Sequence, residues 1–119
     1  MPKTVLLVDD EASYREMVRP FFGEQGIIVK EAMDGDEAIQ WLIREIPDLI
    51  VLDILMPKRD GYAVLSYMKV KGMSVPTVIF SSFSDALTRE TCLKFGAKDY
   101  IVKGEMDDEE LRERMQKYL

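Results

Sequence analysis

Short apolar runs and helix-spaced apolar stripes alternate five times along this chain. Val5-Leu6-Leu7-Val8 is continuous and apolar, the pattern of a strand buried on both faces. Glu11 to Phe22 then reads as a helix with Met17, Val18, Phe21 and Phe22 on one stripe. Pro20 lies late in that helix and is expected to kink or shorten its last turn. Gly23 and Gly26 break the chain before a second strand, Ile27-Ile28-Val29. The clearest helix runs from Asp34 to Ile46. Asp34 and Glu37 make a capping box, Ala38, Ile39, Leu42, Ile43 and Ile46 form the stripe, and Pro47 closes it.

Leu49-Ile50-Val51-Leu52 is the third strand and runs into Asp53. A loop holding Met56-Pro57 and Asp60-Gly61 leads to a helix from Tyr62 to Lys71, with Val64, Leu65 and Met68 inward and Gly72 as its stop. Thr77-Val78-Ile79-Phe80 is the fourth strand and continues into Ser81-Ser82. Ser84 or Asp85 caps a helix that ends at Phe95-Gly96, with glycine in the stop position. Tyr100-Ile101-Val102 is the fifth strand. Asp107 and Glu110 cap a last helix carrying Leu111, Met115 and Leu119.

Five strand-then-helix units with no internal linker or repeat imply one α/β domain over residues 1–119. Right-handed crossovers place helices on both faces of a doubly wound parallel sheet. Ligands of such sheets bind beyond the carboxyl ends of the strands, where strand order reverses. Those ends carry Asp9-Asp10, Ala32-Met33, Asp53, Ser81-Ser82 and Lys103.

Composition narrows the chemistry. The chain has 119 residues, 47% of them hydrophobic and 32% charged, which is globular rather than disordered. A single cysteine excludes an internal disulfide framework. With no histidine, imidazole general bases, zinc proteases and histidine phosphodonors are excluded. A net charge of −6 argues against nucleic-acid binding by the surface as a whole. No apolar run approaches the roughly 20 residues of a membrane span, and Met1-Pro2-Lys3 opens no signal-peptide pattern, so the cytoplasm is the expected compartment.

Taken singly, each strand-end residue has a plain role. Asp9 or Asp10 caps a helix, Asp53 starts a turn, Ser81 is a turn hydroxyl, Lys103 is a solvated lysine, and Met56 fills the core. Their coincidence is what those roles leave unexplained. If the first and third strands are neighbours, three carboxylates meet at one edge. At about 4 Å and an effective dielectric of 20, each such pair costs about 4 kcal/mol. They protonate unless a cation joins them. Lys103 offsets one charge, and a divalent ion offsets the rest. Oxygen donors alone select a hard ion, Mg2+ or Mn2+. A hard ion beside a lysine and a hydroxyl makes a cradle for a phosphoryl group, with Asp53 as the candidate nucleophile.

These residues carry a resemblance over nearly the whole chain. Leu6-Leu7-Val8-Asp9-Asp10-Glu11, Asp53 with Met56-Pro57 and Asp60-Gly61, Ser81-Ser82, and Gly96 to Lys103 together resemble the receiver domain of two-component response regulators. The resemblance implies a flavodoxin-like sheet in strand order 2-1-3-4-5. It implies Asp53 as the phosphoacceptor, served by a sensor histidine kinase or a phosphotransfer protein. Asp9, Asp10, Asp53 and the backbone carbonyl of Leu55 are the implied metal ligands. Ser81 matches the switch hydroxyl, Lys103 the phosphate-binding lysine, and Tyr100 the aromatic that changes rotamer. The implied output face is the fourth helix, fifth strand and fifth helix. That face would meet a downstream protein, a fused output domain or a second copy in a homodimer. Neither a membrane nor direct nucleic-acid binding by this domain is implied, and the domain is a signalling switch rather than an enzyme acting on other molecules.

Three departures stand out. Gly104 follows Lys103 where the family usually has proline, so this loop is expected to differ or to be freer. Ser82 occupies a position where a smaller residue is common, which narrows access to the phosphoryl site. Leu55 and Phe83 are apolar at its border, which orders attacking water less well. The principal rival is a pseudo-receiver that binds partners without phosphorylation. A flavodoxin-like flavin carrier is disfavoured because Asp9-Asp10-Glu11 would repel a flavin phosphate. An aspartate-nucleophile phosphatase usually carries its nucleophile after the first strand, with an added cap region. The last helix stops at Lys117-Tyr118-Leu119 without a glycine cap, which leaves open an output domain beyond it.

Overall fold

The computed structural model describes residues 2–119. Five strands, β1 (Thr4–Val8), β2 (Ile28–Ala32), β3 (Leu49–Leu52), β4 (Thr77–Ser81) and β5 (Asp99–Val102), alternate with five helices. The helices are α1 (Ala12–Gly23), α2 (Gly35–Arg44), α3 (Gly61–Val70), α4 (Ala86–Lys94) and α5 (Asp108–Gln116). All neighbouring strands pair in parallel, in the order β2-β1-β3-β4-β5, as expected.

Strand alternation divides the core into two layers. Leu6, Val8, Ile50, Leu52, Ile79 and Tyr100 pack against Leu42, Leu65, Met68 and Cys92 from α2, α3 and α4. Val5, Leu7, Leu49, Val51, Val78, Phe80 and Ile101 pack against Val18, Phe21, Phe22, Leu111 and Met115 from α1 and α5. The same parity continues past the strand ends. It assigns Asp9, Asp53 and Lys103 to the α1–α5 side and Ser81 to the α3–α4 side.

The caps expected for α2, α4 and α5 form and Asp60 adds one at α3, while α1 begins after Glu11 with no side-chain cap from Asp9 or Asp10. Asp34, Asp60, Asp85 and Asp107 accept from the backbone N–H of Glu37, Ala63, Thr88 and Glu110 at 2.8–3.0 Å. Asp85, not Ser84, therefore starts α4. Glu37 closes its box one residue upstream of the cap, on the Met33 N–H at 3.0 Å.

Several boundaries differ from the sequence reading, and the last helix ends at Gln116, short of Leu119. The second strand omits Ile27 and extends through Lys30 and Glu31 to Ala32. It lies at the sheet edge, where a strand needs no apolar side chain on both faces, so apolar content understates it. Its polar residues are used: Glu31 pairs with Arg15 and Arg19, and the Lys30 ammonium sits over the Trp41 ring. The second helix ends at Arg44, with Glu45 extended at φ −155°. Pro47 disfavours helical backbone at Ile46, which lies past the helix and 68% exposed, while Ile43, still within α2, is turned away from the core and equally exposed. The first helix continues to Gly23 through Pro20 without shortening. Only the proline's own N–H bond is forfeited, and burial of Phe21 and Phe22 holds the last turn.

Asp99 is the buried carboxylate that ties β5 to α5. Arg114 donates to both its oxygens at 2.7 Å, and the Tyr118 hydroxyl adds a third bond at 3.1 Å. Burial pushes this carboxyl up, but the Arg114 hydrogen bonds, the Tyr100 N–H, the Arg114 charge and the Tyr118 hydroxyl together bring it below the usual range. A depressed carboxyl stabilises the fold above its unfolded pKa and stops doing so as pH falls through its folded value. Arg114→Met is therefore expected to cost about 2 kcal/mol at pH 7, and the gap to the wild type should narrow below about pH 4. Urea unfolding at both pH values measures this, and a gap that does not change with pH would assign the loss to packing alone.

Candidate phosphoryl-acceptor site

Register brings the acidic groups together. Val8 pairs with Leu52, so Asp9 and Asp53 are the next residues on adjacent strands, and the Asp53 N–H donates to the Val8 carbonyl at 2.9 Å. Ser81 pairs with Val102, which sets Lys103 one step beyond it, with its N–H on the Ser81 carbonyl at 2.8 Å. Oxygens of Asp9, Asp10 and Asp53 lie within 4.8 Å of one another, with Asp9 and Asp53 buried and Asp10 exposed. Asp10 faces outward from the start of the β1–α1 loop and leaves the cluster open on that side.

Lys103 is the positive centre. Its ammonium is 2.9 Å from Asp9 Oδ2, 3.1 Å from Asp53 Oδ2 and 3.8 Å from Glu11 Oε1, and its side chain is 2% exposed. Burial pulls this lysine down, but its bonds to Asp9 and Asp53 outweigh that and raise it above the ordinary value. Asp53 is pushed up to about 6 by burial first and the Asp9 charge second, against the pull of Lys103 and the Ile54 N–H. One lysine thus serves two carboxylates and neutralises neither fully. The cluster has a standing deficit of positive charge that a divalent ion bound by oxygen donors would fill.

A cleft of about 430 Å3 opens beside Asp53 between the β3–α3 and β4–α4 loops. Leu55, Met56, Pro57, Ser82 and Phe83 line it with Asp10, Glu11 and Ser81. Leu55 is 66% exposed and Phe83 40%, so both apolar side chains border the mouth. A second groove of about 450 Å3 lies at the amino ends of β4 and β5, between α3 and α4. It presents Lys69, Lys94 and Lys98 but no carboxylate, so it lacks the groups for the same chemistry.

Ser81 and Tyr100 lie on the other side of the sheet. Ser81 Oγ accepts from the Phe83 N–H at 3.2 Å, which folds the β4–α4 loop over the strand end. The Tyr100 ring points inward, 3% exposed, and its hydroxyl donates to the Phe83 carbonyl at 2.7 Å. Both groups bond the same loop residue, one at its N–H and the other at its carbonyl, which links β4 and β5 to the loop before α4.

Gly104 accounts for its own departure from the proline pattern. It adopts φ +86°, and the Glu105 N–H donates to the Val102 carbonyl at 3.3 Å. The chain turns immediately after Lys103 through a left-handed glycine, which proline could not adopt.

Three residues position the site in ways the sequence reading does not assign. Arg15 donates to the Asp9 carbonyl at 2.6 Å and pairs with Glu31, bracing the β1–α1 loop from β2. Tyr14 presents its ring to Lys103, with the ammonium 4.1 Å from the centroid. Gly61 lies against the backbone of Asp53 and Ile54, where a Cβ would overlap the Asp53 carbonyl. The Asp60-Gly61 pair was a visible turn signal, but the close approach it permits belongs to the tertiary structure.

The chain belongs to the response regulator receiver domain family, whose model matches residues 5–116. It is 42% identical to the probable transcriptional regulator ycf27 of Guillardia theta over 83% of this chain and 39% of that protein. It is 34% identical to the transcriptional regulatory protein DltR of Streptococcus agalactiae over 83% of this chain and 44% of that one. The chain thus spans less than half the length of these curated relatives. Among solved structures, the Francisella response regulator 1452 receiver domain superposes with a TM-score of 0.87 at 29% identity, covering 98% of this chain and 95% of that one. The response regulator TrrA of Thermotoga maritima, solved with Mg2+ and a beryllium fluoride, matches with a TM-score of 0.83 at 29% identity, covering 98% and 99%. The protein is therefore a receiver domain of two-component signal transduction. No helix among the described residues is long and apolar enough to cross a membrane.

Proposed function

We propose that this receiver is a phosphorylation-activated switch that accepts a phosphoryl group on Asp53 from the phosphohistidine of a sensor kinase or phosphotransfer protein. The observation that carries this reading is the Lys103 ammonium bridging Asp9 at 2.9 Å and Asp53 at 3.1 Å beside an open cleft. An Asp53 carboxylate oxygen attacks phosphorus, the bond from phosphorus to the histidine nitrogen breaks, and an aspartyl phosphate remains. Lys103 then trades its Asp53 oxygen for a phosphoryl oxygen, and the Ser81 hydroxyl turns toward the new acceptor oxygens.

Asp9, Asp10, Asp53 and the Leu55 carbonyl are the groups that would hold Mg2+ or Mn2+, and their all-oxygen, acid-rich chemistry fits such an ion. When bound, the ion supplies charge neutralisation at the phosphoryl oxygens. Asp9 and Asp10 otherwise act as fixed negative charges that the incoming group must overcome.

Loss of the Ser81–Phe83 bond would free the β4–α4 loop, and with it the carbonyl that Tyr100 grips. The inward Tyr100 is then one of two packings whose balance the phosphoryl group biases. The output surface in this reading is α4, β5 and α5, meeting a downstream protein, a second copy in a homodimer or an output domain of a longer chain. The transcriptional regulators it resembles favour the last. Residues 1–119 form the receiver unit, working in the cytoplasm, and nucleic-acid contact falls to that output domain rather than to this acidic one.

Incubation with acetyl phosphate and Mg2+ is the test. One phosphoryl mass should appear, be lost in mild base, and fail to appear when the metal is chelated. An unmodified protein under all these conditions would favour the phosphorylation-independent pseudo-receiver.

A further inference from the structure

We infer that Tyr14 is a positioning residue for phosphoryl transfer, its ring face holding the Lys103 ammonium in place through a cation–π contact. The inference rests on the reading of Asp53 as phosphoacceptor.

An ammonium has three N–H donors. Lys103 directs two at Asp9 and Asp53, at 2.9 and 3.1 Å. Glu11, at 3.8 Å, is beyond hydrogen-bond length. The Tyr14 ring faces the ammonium with its centroid 4.1 Å away, well inside the range of a cation–π contact. The ring is itself held. It meets Phe80 edge to face at 5.5 Å and 87°, and the Phe80 ring lies 5.7 Å from the same ammonium. With the lysine side chain 2% exposed, little water is left to solvate it, and a desolvated cation gains most from an aromatic face.

The chemistry gives this contact a task that the carboxylates cannot perform. Both carboxylate partners of Lys103 change during transfer. Asp53 becomes an acyl phosphate and surrenders the oxygen that Lys103 held. Asp9 divides its charge with any ion that enters the cluster. The ring carries no formal charge, offers no competing acceptor, and is the same before and after the transfer. It therefore keeps the ammonium beside Asp53 while its other partners exchange. Tyr14 lies on the first turn of α1, four residues before Val18 and seven before Phe21, so apolar periodicity places it on the buried stripe as packing and assigns it no partner in the site.

The test replaces Tyr14 with phenylalanine, with ring-fluorinated phenylalanines of nearly constant volume, and with leucine. Phosphorylation by acetyl phosphate with Mg2+ is followed by mass, and the Lys103 ε-methylene shift is followed by NMR without phosphodonor. Tyr14→Phe should stay within about twofold of wild type, while trifluorination or Tyr14→Leu should slow transfer about fivefold. The upfield ring-current shift at Lys103 should persist in every aromatic variant and shrink in Tyr14→Leu to the smaller contribution of the more distant Phe80 ring. If Tyr14→Leu fails to fold, the fluorinated series decides alone, because it keeps the packing volume. A rate that is flat across that series, or a Lys103 shift indifferent to the ring, overturns the inference. A wild type that takes no phosphoryl group overturns instead the reading of Asp53, and this role with it.

Discussion

Asp53→Asn should abolish the phosphoryl mass gained from acetyl phosphate and Mg2+, while the metal-free variant becomes more stable at neutral pH. The amide keeps the shape of the side chain and removes the nucleophilic oxygen. Persisting modification would move the acceptor to Asp9 or Asp10. The stability change follows from the carboxyl being pushed up to about 6 in the fold by burial and Asp9. Below about pH 4 it is protonated in folded and unfolded chains alike. Between about pH 4 and pH 6 the unfolded chain ionises first, so the folded state loses stability as pH rises, and above that range the loss is complete. Asn does not ionise, so the variant should gain on the wild type across this window. The gain at pH 7 should be about 1 kcal/mol, less than the shift alone implies because Lys103 loses one of its two partners. Urea unfolding from pH 4 to pH 7 measures it. A variant that loses ground as pH rises would mean that the Lys103 bond, not the Asp9 repulsion, dominates at Asp53.

The second large effect is structural. Gly61→Ala should destabilise the fold by about 3 kcal/mol and slow phosphorylation as well. At the first position of α3, alanine would otherwise be the better helix former. Here its methyl would overlap the Asp53 carbonyl oxygen and crowd the Ile54 Cα, both backbone atoms that cannot rotate away. The Gly61 N–H is also bonded to the Ile54 carbonyl at 2.8 Å, so α3 cannot retreat without breaking that link. The displaced atoms belong to Asp53, the proposed phosphoacceptor, which is why stability and chemistry should fall together. Gly23→Ala is the control. It lies in the last turn of α1 with nothing within 4 Å of the added carbon, so it should be neutral or stabilising by up to about 1 kcal/mol. Thermal unfolding of the two variants side by side checks the contrast. Equal changes would mean that glycine flexibility, not the close approach to Asp53, governs position 61.

The sequence alone determined the elements whose signals are local. Continuous apolar runs marked β1, β3 and β4 because central parallel strands must be apolar on both faces, the Tyr100-Ile101-Val102 run marked β5 at one edge, and aspartate caps marked the starts of α2, α4 and α5 because a cap bonds within its own turn. Asp9, Asp10, Asp53, Ser81 and Lys103 were legible because each ends a strand, and a parallel sheet gathers its strand ends at one edge. The other edge strand, β2, was read only in part, since Lys30 and Glu31 find their partners, Trp41 and two arginines, on helices on either side of it. The tertiary structure alone decided the rest. Register set which carboxylate Lys103 reaches, packing turned Tyr100 inward onto the Phe83 carbonyl, and the approach of α3 to β3 required a glycine at 61. The Tyr14 ring acquires a partner 89 residues further along the chain. A local pattern records what a residue does within its own element. A contact between α1 and the end of β5 exists only once the sheet has put those ends side by side.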